Sequence, residues 1–504
     1  MTTKHRWGVL AAMGTSISLV YLDQTILPVA LPTIQRDLGL SEIGLQWTIN
    51  TYLLALAVFV LTGGRLGDMF GHRRIFCWGL VTFAAASLLC ALSENAGVFL
   101  MGRALQGLGG AFIIPTVPVM LAGAFPSEQR GKIFGLYISI GAFFLSVGPL
   151  IGGLLTQYLS WRYVFWINPP IALLGLCITF LTIGPSKKKE ETFDFFGFFS
   201  LTLGIAGIVT ALMQGKVWGW YSWPILSLGL GGIAMLAILI LFDREVEDPF
   251  IDFSLFHKRS FVAGNFCIFC TQFILILTVF WVIYFQKILH YSPSLAGIWS
   301  MLASSPVIAV GAISGHLFDR YGGKLPISLG FVFVGFALIW FILVPVPATP
   351  YQLLPIIIPF GCGIPLILIP SFTLFLSEIS EAKRGMAVGT STTIRQLGST
   401  AGMAIFGSIF LHNQESAFQQ RLAQHSETSM LNPSAFDGLL SQAPKAMDAL
   451  QTLPSGIAET IQSDLAASTI FASTYMNIVG LCIAGLALLF VVRFLPWGHF
   501  KTRA

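Results

Sequence analysis

The stretch Trp7–Pro32 reads WGVLAAMGTSISLVYLDQTILPVALP. About 20 mostly apolar residues suffice to cross the hydrocarbon core of a bilayer, and this run has that length with one charged side chain inside it, Asp23. A carboxylate at such depth is costly to keep, so it marks a functional site by default.

The rest of the chain has the same character. Its 504 residues are 55% hydrophobic and 10% charged, with a mean hydropathy of +0.79, whereas an ordinary soluble domain carries about 25% charged residues. A polytopic, all-α integral membrane protein is therefore expected. Lys4 and Arg6 precede the first apolar run as in a signal peptide. That run is too long and lacks a small-residue cleavage site, so it reads as an uncleaved first helix.

Apolar runs of spanning length predict about fourteen helices, over 7–31, 45–66, 75–92, 98–124, 132–156, 164–183, 195–214, 224–242, 261–285, 294–316, 326–346, 351–376, 386–411 and 472–494. An even number puts both termini on one side. Most of the 28 lysines and arginines fall on that side, among them Arg65, Arg73, Arg74, Lys187, Lys188, Lys189, Arg320 and Lys324. Arg36, Arg162, Lys216, Lys287, Arg421 and Lys445 fall on the other. Basic residues concentrate in cytoplasmic loops, so both termini are expected in the cytoplasm.

An internal repeat divides the chain. Gly64-Arg65-Leu66-Gly67-Asp68-Met69-Phe70-Gly71-His72-Arg73 after the second helix is echoed by Gly315-His316-Leu317-Phe318-Asp319-Arg320-Tyr321-Gly322-Gly323-Lys324 after the tenth. Arg130-Gly131 likewise recurs as Arg384-Gly385, and Gly107-Leu108-Gly109 as Gly361-Cys362-Gly363. Duplicated halves are common in transporter folds, whose substrate site lies near the bilayer midplane between the repeats. The expected organisation is a six-helix bundle over 1–183 and a two-helix insert with cytoplasmic linkers over 184–260. A second six-helix bundle follows over 261–504, with an extracytoplasmic loop at about 413–468.

Buried charge is scarce enough to allow elimination. Of 23 acids only Asp23 lies deep in a span; Glu94, Asp194 and Glu378 fall at helix ends and the others in loops. No histidine is placed at mid-membrane, His316 and His412 coming closest. Two arginines are inside spans. Asp23 and Arg103 are both expected in the outer third of the membrane, by their distance from the helix ends at 1.5 Å per residue. Arg395 is expected nearer the midplane. An unpaired arginine at the depth of Arg103 would be costly, which makes it the candidate partner of Asp23; a fixed ion pair or a snorkelling side chain is the bland alternative.

Other features read more simply. Gly107-Leu108-Gly109-Gly110 lies in an apolar helix with no preceding strand and no GxxxxGK, so it is not a phosphate loop. Gly148-Pro149-Leu150-Ile151-Gly152-Gly153 is expected to let helices approach closely and to bend or break the fifth helix. Cys267 and Cys270 form a CxxC without an adjacent histidine or acid and read as packed thiols, and no metal site or cofactor is expected. The segment 413–468 has helix-like stretches at Gln414–Gln424 and Pro454–Ala467, and reads as a solvated cap or as a docking place for a periplasmic adaptor.

These residues together resemble the major facilitator superfamily, in particular its fourteen-helix drug:proton antiporters of the EmrB/QacA type. The resemblance covers essentially the whole chain. Leu22 to Pro32 is similar to the first-helix signature of that branch, and Gly64–Arg74 to the motif between helices two and three. Arg103-Ala104-Leu105-Gln106-Gly107 is similar to the fourth-helix motif. Gly148, Pro149, Gly152 and Gly153 resemble the antiporter motif of exporters, and Trp161-Arg162, Asn168, Pro170 and Arg395-Gln396-Leu397-Gly398 also fit. Pro28 stands where the signature has asparagine, Phe144 where the antiporter motif often has glycine, and Ile357 where the second half would repeat Arg103.

The resemblance implies a major facilitator fold of two pseudo-symmetric six-helix bundles plus two inserted helices. It implies proton coupling at Asp23 and Arg103, and a gate built on Gly64, Asp68, Gly71, Arg73, Arg74 and Asp319. Gln106, Arg395 and Gln396 are candidates for the substrate cavity. The expectation is a transporter in the bacterial cytoplasmic membrane, with small amphipathic substrates and protons as partners and no nucleic acid. It exchanges protons for neutral, zwitterionic or anionic compounds in preference to dications. The rival readings are export of a specific endogenous metabolite or siderophore-like compound, and proton-coupled import; a membrane-bound enzyme is not expected.

Overall fold

The computed structural model describes residues 3–184, 194–242, 251, 253–344, 348–377, 379, 384–424, 439–440, 450 and 455–496. The lysines 187–189, Glu378 and most of 425–454 lie outside them. Among the described residues the chain is helical throughout. In chain order the long helices are α1 (Thr3–Leu38), α2 (Glu42–Phe70), α3 (His72–Ala91), α4 (Ala96–Ala124), α5 (Ser127–Tyr158), α6 (Tyr163–Thr182), α7 (Phe195–Trp218) and α8 (Trp223–Phe242). They continue with α9 (Arg259–Lys287), α10 (Pro293–Tyr321), α11 (Lys324–Leu343), α12 (Pro350–Leu376), α13 (Arg384–Leu422) and α14 (Ser455–Phe494).

Thirteen of these are long and apolar enough to cross a membrane. The remaining one, α13, is 39 residues long but carries a polar stripe that lowers its hydropathy. A spanning helix tolerates such a stripe when it faces the bundle interior and not lipid.

The two halves are wired alike. In the first, α1 packs on α5 and α6, α2 on α4, and α3 on α4 and α6. In the second, α9 packs on α13 and α14, α10 on α12, and α11 on α12 and α14. The repeated segments make equivalent turns: Gly71 (φ 99°) joins α2 to α3, and Gly322 (φ 75°) lies between α10 and α11. Only glycine adopts such backbone angles without a Cβ penalty.

Two seams join the lobes, α5 against α10 and α2 against α13. The inserted helix α7 packs on both α2 and α13 and so covers the second seam. There Asn50 of α2 donates to the sulfur of Met213, and Ser408 of α13 to the carbonyl of Leu212 at 3.3 Å.

Several expectations about local structure are corrected. The break expected in α5 at Pro149 does not occur, and α1 likewise runs through Pro28 and Pro32 as one helix. Packed neighbours enclose the backbone there, with Val29, Ala30, Leu31 and Ile34 of α1 fully buried, and such packing offsets the hydrogen bonds that proline removes. α1 also runs on past its apolar run to Leu38, which places Asp23 near the middle of the helix. The segment 413–468 begins and ends as direct extensions of α13 and α14, with Phe418, Ile461 and Leu465 packed between them. At 1.5 Å per residue these two helices are about 60 Å long, roughly twice the ~30 Å hydrocarbon core. Acids assigned to loops also turn out to be helical: Glu42 opens α2, Asp319 lies near the end of α10, and Asp464 lies in the extension of α14.

Candidate functional site

Asp23 projects from α1 into the interior of the first lobe. It is 0% exposed and Arg103 is 1% exposed. Arg103 Nη1 of α4 donates to Asp23 Oδ2 at 2.8 Å. The other carboxylate oxygen accepts from Gln106 Nε2 at 3.1 Å and from Asn168 Nδ2 of α6 at 3.1 Å. Gln106 and Asn168 are also joined through Ser87 Oγ of α3, at 2.7 and 3.2 Å. Gln106 accepts in return from Arg103 Nη1 at 2.7 Å. Arg103 Nε donates to the Thr48 carbonyl at 3.2 Å, and its guanidinium stacks over the Tyr52 ring at 4.6 Å. Residues of five helices therefore form one connected network around this carboxylate.

The cluster depends on its partners staying paired. A buried ion pair survives only if its remaining polar atoms are hydrogen-bonded, and removing one partner leaves an uncompensated charge at a cost of about 3–5 kcal/mol. A proton on Asp23 would cancel the negative partner and weaken the hold on Arg103 without changing any other atom. Tyr52, itself buried, accepts from Gln24 Nε2 at 3.4 Å and closes the cluster on the α2 side.

Asn168 and Ser87 were not singled out for this role by sequence reasoning. Gln106, expected at the substrate cavity, is instead enclosed within the first lobe. Arg395 and Gln396 lie on α13 at the boundary between the lobes. Gln396 is buried; Arg395 is half-buried.

The antiporter-motif residues sit on two faces of α5. Gly148 and Gly152 lie against Thr25 and Ile26 of α1. Gly153 abuts the backbone of Pro293 on α10, and Gly297 of α10 abuts the backbone of Pro149. Ser146 Oγ donates across the same seam to the Ser304 carbonyl at 3.1 Å. Close approach is thus seen where the glycines predicted it.

The expected gate residues lie at the end of the bundle that bears both chain termini. Asp68 accepts from His72 at 3.2 Å, Gly64 packs near Pro115, and Arg73 lies over the Phe180 ring at 5.2 Å. Arg74 and Asp319 are exposed.

At the opposite end the lobes are tied together. Lys287 Nζ of α9 donates to Glu42 Oε1 of α2 at 2.8 Å, and Gln35 Nε2 donates to the same oxygen at 3.0 Å. Gln286 Nε2 reaches the Val29 carbonyl at 2.9 Å, and the Ser294 amide reaches Gln157 Oε1 at 3.1 Å. Along the α5–α10 seam, α5 packs closely on Pro293–Ser304 but only lightly on Pro306–Tyr321. This seam is thus tight away from the termini and loose towards them, while the α2–α13 seam is packed from Gly407 against Gln46 to Gly389 against Leu61.

Two like-wired helical lobes joined along two seams have the architecture of a membrane transporter built from repeats. The sequence model of the Major Facilitator Superfamily matches residues 13–195 and 194–403, and the chain belongs to that superfamily. It is 30% identical over 407 residues to multidrug resistance protein Stp of Mycobacterium tuberculosis, covering 79% of this chain and 75% of that one. It is 32% identical over 414 residues to puromycin resistance protein pur8 of Streptomyces alboniger, covering 80% and 81%. A bacterial homologue of the human lysosomal transporter Spinster, solved in an inward-facing, occupied conformation, superposes with a TM-score of 0.65 at 15% identity over 98% of each chain. That last likeness concerns the fold alone.

Proposed function

We propose that the protein is a proton-coupled antiporter that exports small amphipathic compounds, drugs and toxic compounds among them, by alternating access. The names of its relatives support efflux. The observation that carries the coupling is the fully enclosed Asp23–Arg103 pair, the one acid–base pair at the centre of the first lobe among the described residues. With the termini in the cytoplasm, as the basic residues indicate, the end tied by Lys287 and Glu42 faces outward.

In this cycle a proton arriving from outside neutralises Asp23 and releases Arg103 from its partner. The change favours the inward-facing arrangement; loss of the proton and binding of substrate favour the return. Each step shifts a population between two states in proportion to its differential affinity for them. The gate residues Gly64, Asp68, Gly71, Arg73, Arg74 and Asp319 would then control the cytoplasmic side. The α13–α14 extension would stand outside the membrane, where a periplasmic adaptor could dock. Inverted membrane vesicles energised with an inward-acid gradient test the direction. Uptake of amphipathic substrate into such vesicles is expected; gradient-driven release from them would make the protein an importer.

A further inference from the structure

Of the two arginines in the membrane interior, Arg103 is neutralised by Asp23. Arg395 has no hydrogen-bonding or ionic partner for its guanidinium among the described residues, and it is only half-buried. It stands eleven residues into α13, about 16 Å along the helix, which is roughly half of a ~30 Å hydrocarbon core. That depth is beyond the reach of snorkelling to either interface. An arginine so placed faces the bundle interior or a water-filled cavity, not lipid.

The helical register shows which way it faces. Gly398 and Gly402 of α13 lie against Phe269 and Phe273 of α9, while Gly389 and Gly407 lie against Leu61 and Gln46 of α2. With 3.6 residues per turn, Arg395 falls about 20° from Gly402, on the α9-facing side of α13 and not on the α2-facing one. Tyr52 on α2 and Tyr137 on α5, on different sides of the first lobe, are within electrostatic reach of Arg395. Tyr21 packs against Gly141 of α5, one turn from Tyr137, and both rings are half-buried.

With Asp23 and Arg103 cancelling, the centre of the transporter carries one uncompensated positive charge. We propose that Arg395 anchors the carboxylate of an aromatic anion carried in the central cavity, the guanidinium gripping both oxygens and Tyr21 and Tyr137 flanking the apolar body. The planar fork of arginine matches a carboxylate in two parallel hydrogen bonds, which a lysine cannot reproduce. The inference rests on the export reading and narrows its substrate to a class.

The test uses tritiated 2-naphthoate and its neutral counterpart 2-naphthamide. Equilibrium binding is measured on the purified full-length protein, and gradient-driven flux in proteoliposomes. The native protein is expected to bind naphthoate about tenfold more tightly than the amide, as one charge-assisted pair supplies. Arg395→Gln should erase that difference by weakening naphthoate about tenfold, and Arg395→Lys should keep only part of it. Equal binding of the two probes by the native protein, or a preference that survives in Arg395→Gln, overturns the proposal. Flux reports separately on export. Arginine-dependent naphthoate binding without gradient-driven flux contradicts export and leaves the anion site standing; flux that ignores probe charge retains export and overturns the anion site.

Discussion

Lys287 Nζ lies 2.8 Å from Glu42 Oε1, joining α9 of one lobe to α2 of the other, with both side chains 9% exposed. Gln35 donates to the same carboxylate oxygen, so the bond that closes this end of the molecule is buried and braced. Its partners come from opposite lobes, and the bond must break whenever the two ends exchange roles.

Glu42→Gln should therefore shift the protein towards the state open at this end. Removing one member of a buried pair costs roughly 3–5 kcal/mol, enough to reverse a two-state preference of ordinary size. Distances between spin labels on the α1–α2 and α9–α10 turns would show a longer population in the variant. Distributions identical to those of the native protein would show that the bond is incidental to closure.

Asn168 and Gln106 share Asp23 Oδ1 and meet again at Ser87. Asn168→Ala removes a hydrogen bond to a charged group, which contributes about 1.5–3 kcal/mol. The expected result is a fall of about tenfold or more in gradient-driven transport, with membrane insertion preserved. Native transport rates in Asn168→Ala would show that the carboxylate is held adequately by α4 alone.

Gly297 and Gly153 let the backbones of α5 and α10 touch across the seam. A side chain at Gly297 would meet the Pro149 carbonyl, an obstacle of backbone that cannot rotate away. Gly297→Val should hold this seam apart and abolish turnover while leaving each lobe folded. Loss of transport with a near-native melting temperature supports this; full transport would place the seam's closure outside the cycle.

How much of this was legible before folding differs from residue to residue. Asp23 stood out because it is alone in an apolar run, and Arg103 followed because a buried cation needs a partner. Their contact at 2.8 Å required only that the two depths agree. Asn168 and Ser87 gave no comparable signal, since small polar residues are common in spanning helices and cost little there. Gln106 carried a signal that depth alone did not use: three residues after Arg103, it shares that arginine's helix face, and it therefore joins the same carboxylate and not the central cavity. Glu42 and Lys287 fell just beyond the apolar runs and read as loop charges, yet the helices extend past those runs and bring them together. The helix-like stretches expected at 414–424 and 454–467 are helical, up to Leu422 and from Ser455. That they continue α13 and α14 without a break was hidden, because apolar runs report the bilayer and not the helix.

The most direct test concerns Asp23 itself. Asp23→Asn keeps the shape of the side chain but cannot exchange a proton, and it leaves Arg103 without its charge partner. Substrate flux is measured in proteoliposomes with and without an imposed pH gradient, with Asp23→Glu and a thermal melt as controls for folding. A folded Asp23→Asn protein whose flux no longer responds to the gradient is the expected result. Flux in that variant that rises with the gradient as in the native protein would contradict a coupling role for this carboxylate.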